Sequence, residues 1–140
     1  MEKGIVEINF TKDGNFKRFN DLTKRFLLKN KERKVIGIVD FVYPLTDMPD
    51  NIYEIKDHIN LLGENPLKGP NFISMTNIYK SNNGITVAGL KEGVHPNNHE
   101  KKILLKASVK AYCYNLVPVV IFAASLGLKV KAIGVVKKEG

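Results

Sequence analysis

Three histidines, one cysteine and a scatter of carboxylates are the side chains of this 140-residue sequence best suited to acid–base, nucleophilic or metal chemistry. His95 and His99 stand four residues apart across the expected start of a helix. Neither they nor His58 have a carboxylate cluster at ligand spacing, so they read as surface or hydrogen-bonded histidines and no metal is expected. Cys113 has no second cysteine for an internal disulfide or a metal knuckle. It reads as a buried thiol, because a catalytic thiolate needs an electropositive, partly open setting that the neighbouring residues do not announce. No cofactor is expected either.

Twenty-two Lys and Arg oppose fourteen Asp and Glu, a formal charge of +8. Such an excess attracts polyanions over a Debye length. It concentrates in Lys24–Lys34 and Lys129–Lys138, with a smaller group at Lys101, Lys102, Lys106 and Lys110. Without the aromatic-rich strand motif of an RNA-recognition domain, lysines on helix faces read as solvated surface, so nucleic acid is possible but not favoured. The longest apolar run, Leu116–Leu128, contains Pro118 and Ser125 and falls short of a bilayer crossing, and Met1-Glu2-Lys3 opens no signal core. The expectation is a soluble, cytoplasmic protein with no membrane contact.

The elements that must position these groups alternate between strand and helix. Gly4–Phe10 alternates apolar and polar residues and ends on the turn signal 11–15, which reads as a strand. Phe16, Phe19, Leu22, Phe26 and Leu27 recur at three- or four-residue spacing and predict an amphipathic helix over Phe16–Asn30. Lys34–Phe41 is a near-continuous apolar run, as in a strand covered on both faces. Pro44, Pro49 and two aspartates break regularity before a strand at Ile52–Ile59, and a Gly/Pro-punctuated loop spans Leu62–Asn71. A strand at Gly84–Leu90 follows, then a helix capped by Asn97 or Asn98 and running to about Lys110. Tyr112–Tyr114 reads as a short strand, and Pro118 suits the first turn of a helix ending at Gly127. Val130–Val136 reads as the last strand. The sum is one α/β domain over 1–140, with a mixed, mostly parallel sheet flanked by helices. Its carboxyl edge, where such sheets bind ligands, would collect Asp40–Pro44, Gly89–His95, Asn115 and Lys137.

One irregular string adds ancestry to this reading. Asp57-His58-Ile59-Asn60-Leu61, followed by Asn65-Pro66-Leu67-Lys68-Gly69-Pro70-Asn71, resembles a segment of purine nucleoside phosphorylases. Leu116-Val117-Pro118-Val119 and Gly127-Leu128-Lys129-Val130 are similar, in the same order, to a later helix and strand of that family. The resemblance covers roughly Val35–Val136. It implies a nucleoside phosphorylase-like fold, a purine or nucleoside ligand, phosphate as a possible co-substrate and a homo-oligomer. An oligomer would also cover sheet edges that a short domain leaves bare.

Phosphorolysis makes the ribose cation-like and the purine anion-like, so a site must fix phosphate on one side and hydrogen-bond the base on the other. Carried over residue by residue, the resemblance places Glu92 near the base-facing carboxylate, Tyr114 and Asn115 at the ribose and phosphate pair, and Lys137 and Lys138 near the base-protonating asparagine. His95 joins them from the carboxyl edge. Asp57, His58, Asn60, Asn65, Pro66, Gly69 and Pro70 fall on framework positions. The family's phosphate loop has no counterpart here, and its small-residue run after the central strand is replaced by Asp40-Phe41-Val42-Tyr43-Pro44, in which Asp40 would repel phosphate. The expected function is therefore a divergent phosphorylase-like protein that binds a purine, nucleoside or phosphate, with phosphorolysis weak or absent. A basic, non-catalytic module binding nucleic acid or an acidic protein is the alternative, and an active enzyme completed by a partner chain is a third reading.

Overall fold

The computed structural model describes residues 4–12, 16–62 and 78–137. Among the described residues, six strands and three helices follow in the order β1 (Glu7–Asn9), α1 (Asp21–Lys29), a 3-10 turn (Lys31–Arg33), β2 (Val35–Pro44), β3 (Ile52–Asn60), β4 (Ile85–Gly89), α2 (Asn98–Lys106), β5 (Val109–Cys113), α3 (Leu116–Ser125) and β6 (Lys129–Val136). Asn65, Pro66, Gly69 and Pro70 lie outside the described residues.

The sheet is mixed, as expected, but it closes into a barrel rather than being mostly parallel. β1, β2 and β6 point one way and β3, β4 and β5 the other. β2 pairs in parallel with β6 from Val35 to Val42, β6 pairs antiparallel with β3, and β3, β4 and β5 follow in parallel. The circle shuts where the end of β2 turns to β5, Tyr43 opposite Tyr112 and Pro44 opposite Ala111. The reason lies in the length of β2. Its ten residues exceed the expected strand, so its first eight serve β6, with Gly37–Val39 also serving β1, while its last two residues are free to reach β5. Closure pairs both sides of every strand in the ring, so among the described residues only β1 keeps an open edge, and the bare-edge reason for an oligomer shrinks to that strand.

Helix α3 is apolar all round, as a helix sunk in the core must be. Leu116–Ile121 and Ala123 are buried, and the helix lies against β2, β4 and β6 and beside α1. Gly89 makes the fit at β4, since a Cβ there would stand 2.6 Å from Val117 Cβ. The main core joins α3 to Ile8, Leu27, Ile36, Ile38, Val42 and Ile55. Helix α2 covers a second, smaller core of Ala88, Leu90, Leu104, Val109 and Tyr112.

Each helix starts where a cap allows. The first begins at Asp21 rather than Phe16 because Asn20 Oδ1 accepts the Leu22 N–H at 3.0 Å while the Asn20 N–H donates to Thr23 Oγ1 at 2.8 Å, and Phe16 and Phe19 pack on the core from the preceding segment. At α2, Asn97 Oδ1 accepts the Glu100 N–H at 2.8 Å and Glu100 Oε1 accepts the Asn97 N–H at 3.0 Å. Asn97→Ala removes the acceptor for the Glu100 N–H and leaves only the half of the cap donated by the backbone N–H of residue 97, and urea denaturation should record a loss of about 1 kcal/mol.

Candidate functional site

Asp40 is the one carboxylate in an apolar strand and is 3 % exposed. Because β5 runs antiparallel to β2, its exit delivers the start of α3 to the middle of β2. Asp40 Oδ2 accepts the backbone N–H groups of Asn115 at 3.1 Å and Leu116 at 3.0 Å, and Oδ1 accepts that of Phe41 at 2.9 Å. Burial raises its pKa to about 6, and the backbone donors, led by Asn115, pull against that rise. Above pH 6 a carboxylate therefore sits on the positive end of α3, the place where a helix would otherwise receive an external oxyanion.

Asn115 Oδ1 accepts the Phe19 N–H at 3.2 Å, which ties the α1 lead-in to the same corner. Cys113, one residue before Tyr114, is fully buried, and desolvation, then the Asp40 charge, pushes its thiol well above the ordinary value. It stays protonated.

Beside this corner the loop after β4 folds over the end of β5. A turn closed by Val94 N–H to Lys91 O at 2.9 Å, with Gly93 at φ +84°, reverses the chain and brings His95 to two tyrosines. Left-handed backbone is open to glycine without steric cost. Tyr114 donates its hydroxyl to Val94 O at 2.9 Å, and His95 Nδ1 lies 3.4 Å from the Tyr114 oxygen and 3.3 Å from that of Tyr112. Tyr43 stacks on Tyr112 with ring centres 5.2 Å apart and leans on Tyr114 at 5.4 Å. A depression of about 360 Å³ adjoins this cluster, bordered by Tyr43, Thr46, Asp47, Lys101, Tyr112 and Lys137. Lys137 also holds its ammonium 4.8 Å above the Phe41 ring.

The structure thus gathers His95, Tyr114 and Asn115 around one end of β5. Glu92 is exposed in the turn, and Lys138 lies outside the described residues. The single carboxyl edge expected for an open sheet is divided by the reversed strand directions. Gly89, Cys113 and Asn60 end their strands together, whereas Pro44 and Val136 end theirs at the other pole of the barrel. Tyr43 and Tyr112 were invisible as partners in the sequence, although the alternation of Tyr112 and Tyr114 along one stretch is a signal that both face one way.

Asp57 Oδ1 accepts the His58 N–H at 2.8 Å and Asn60 Oδ1 accepts the Leu62 N–H at 3.0 Å, both local turns of side chain onto backbone. His58 is buried, its Nδ1 2.6 Å from the Tyr79 hydroxyl. Burial lowers its pKa to about 4 against the opposing pull of Asp57, and burial raises the Tyr79 phenol well above its usual value. The phenol therefore carries the proton and donates it, Nδ1 accepts, and Nε2 bears the N–H. Among the described residues no group of three or more His, Cys, Asp and Glu is placed to hold a metal ion, and no helix is long and apolar enough to cross a membrane.

No protein-family model matches the chain, and no curated protein does. Solved structures do. A purine nucleoside phosphorylase of Schistosoma mansoni superposes with a TM-score of 0.71 at 18% identity, over 86% of this chain and 60% of that one. A Schistosoma purine nucleoside phosphorylase in complex with guanosine gives 0.65 at 19%, over 76% and 53%. Isoform 2 of the Schistosoma mansoni enzyme, in complex with cytosine and ribose-1-phosphate, gives 0.64 at 22%, over 74% and 47%. The fold is that of a nucleoside phosphorylase, and the chain spans about half to three-fifths of the length of these structures.

Proposed function

We propose that the chain is a purine- or nucleoside-binding protein on a phosphorylase-like scaffold, with phosphorolysis weak or absent. One observation carries the reading: the Asp40 carboxylate accepts the N–H groups of Asn115 and Leu116, so the oxyanion position at the head of α3 is filled by the chain itself. A phosphate brought there would meet a like charge and committed donors. The rings of Tyr114 and His95, at the rim of the same corner, offer a planar ligand stacking surface and polar edges, with Glu92 and Lys138 as the base-facing charges that the resemblance suggests. Ligands of the structural neighbours, guanosine and hypoxanthine among them, supply the probes.

Guanosine and hypoxanthine should bind saturably in calorimetry, and Tyr114→Ala should weaken both about tenfold through the lost stacking face. In excess phosphate, base release from guanosine should remain at the level of a protein-free blank. Turnover near the 10 s⁻¹ common among enzymes would overturn the catalytic half of the proposal, and absence of saturable binding by either probe would overturn the binding half.

A further inference from the structure

A second cavity, of about 420 Å³, opens at the amino ends of β1, β2 and β6, away from the Asp40 corner. It is large enough for a small ligand. Val35, on its wall, and Asp40 are five residues apart on β2, a span of about 16 Å along a strand. Three cations from three separate segments border it. Arg33 ends the 3-10 turn, Lys80 precedes β4, and Lys131 belongs to β6. Local geometry aims the first two: Lys34 at φ +71° turns the chain sharply between Arg33 and β2, and the Lys80 N–H is anchored on Val130 O at 2.8 Å.

Among the described residues Glu54 is the one carboxylate on the wall, and it accepts from the Ser81 hydroxyl at 3.3 Å. Lys131 already interacts within the chain, so the case rests on Arg33 and Lys80, both exposed to incoming ligand. An arginine fork matches two oxygens of a tetrahedral oxyanion, and an ammonium adds a movable point charge. Gly4 borders the cavity with no atom within 4 Å of where a Cβ would stand, which leaves room for close approach to backbone. Ile5 and Val35 give the remaining wall an apolar face for the uncharged part of a ligand.

From this convergence we infer that the cleft between Arg33, Lys80 and Lys131 is a binding site for the phosphate group of a small phosphorylated molecule. The site is independent of the purine reading, because it uses none of the same residues and its wall at Val35 stands about 16 Å along β2 from Asp40.

The test titrates the full chain with pyrophosphate in a calorimeter at low salt and again at matched ionic strength with chloride. Saturable binding is expected. Arg33→Gln with Lys80→Gln should weaken it about tenfold or more, and Glu54→Gln should tighten it. A control pair of equal charge loss, Lys17→Gln with Lys102→Gln, should leave it within about twofold, and thermal melts without ligand establish that each variant is folded. Equal weakening in the control pair would overturn the inference in favour of diffuse attraction by the net charge. So would the absence of saturable binding, or binding of a single-stranded oligonucleotide without binding of pyrophosphate.

Discussion

Asp40→Ala is expected to lower stability by about 3 kcal/mol at pH 8, and by more on acidification. The substitution orphans three backbone donors, on Phe41, Asn115 and Leu116. An unsatisfied donor costs roughly 3 kcal/mol where the bond is buried, as at Leu116, and about half that where it is part-buried, as at Phe41 and Asn115, or about 6 kcal/mol for the three. Against this, removal of the carboxylate relieves its desolvation, the dominant cause of the rise in its pKa from 3.8 to about 6. That rise corresponds to roughly 3 kcal/mol in the ionised state. The balance is the loss expected at pH 8.

The pH dependence follows from the direction of the shift. A carboxyl that binds its proton more tightly folded than unfolded stabilises the fold fully below pH 3.8 and loses that contribution as pH rises through about 6. The alanine variant lacks this gain, so its deficit relative to wild type should widen by up to about 3 kcal/mol between pH 8 and pH 4. Asp40→Asn, a neutral side chain that keeps one acceptor, should lose less than alanine. Urea denaturation of the three proteins at pH 8, 6 and 4 reads all of this; a deficit that narrows on acidification would show that the carboxylate is held by its donors rather than strained by burial.

Asp40 also marks the boundary of what the sequence discloses. Its charge inside an apolar run announces a buried carboxylate hostile to phosphate, but its partners lie 75 and 76 residues away and arrive only because β5 runs against β2. Apolar spacing locates α1, a near-continuous apolar run locates β2, and Pro118 with Gly127 bound α3, because each of these is a local property. The spacing overextends α1 to Phe16, since Phe16 and Phe19 keep the helical spacing while packing from a non-helical segment. The end of α2 was hidden for a different reason. Ser108 takes φ +65°, and no glycine or asparagine advertises that reversal, so the local pattern carries the helix toward Lys110 and starts β5 late, at Tyr112 rather than Val109.

Barrel closure was illegible for a physical reason as well. It depends on Tyr43 and Pro44 meeting Tyr112 and Ala111, a pairing decided by strand register across the whole domain. Pro44 reads locally as a breaker, yet a proline at the end of a strand is compatible with a ladder it need not donate to. The resemblance of Asp57–Asn60 and Leu116–Val119 to nucleoside phosphorylase segments points to the fold despite this, because it rests on particular residues in order rather than on local propensity. Of the proposed site, His95, Tyr114 and Asn115 could be nominated from sequence, whereas the stacking of Tyr43 on Tyr112 and the bond from Tyr79 to His58 emerge only in three dimensions.

His58 supplies the counterweight to Asp40. Its folded pKa, lowered from 6.5 to about 4, means the folded protein resists a proton that the unfolded chain accepts. The corresponding stability is fully present above pH 6.5 and is lost as pH falls toward 4, by roughly 3 kcal/mol. Protonation would also turn Nδ1 into a donor facing the Tyr79 donor. Between pH 6 and pH 4 the two buried groups therefore oppose one another: Asp40 gains what His58 gives up. Removing either should expose the other. His58→Gln keeps an acceptor for Tyr79 but does not titrate, so relative to wild type it should gain roughly 3 kcal/mol as pH falls from 7 to 4. Asp40→Asn should move the opposite way over the same range, losing about 3 kcal/mol relative to wild type. Denaturation curves at pH 7, 6, 5 and 4 for the two variants and the parent give the difference profiles. Profiles of the same sign, or a His58→Gln profile that is flat, would mean that the histidine protonates as readily in the fold as outside it, and the Tyr79 contact would then have to break at mild acidity.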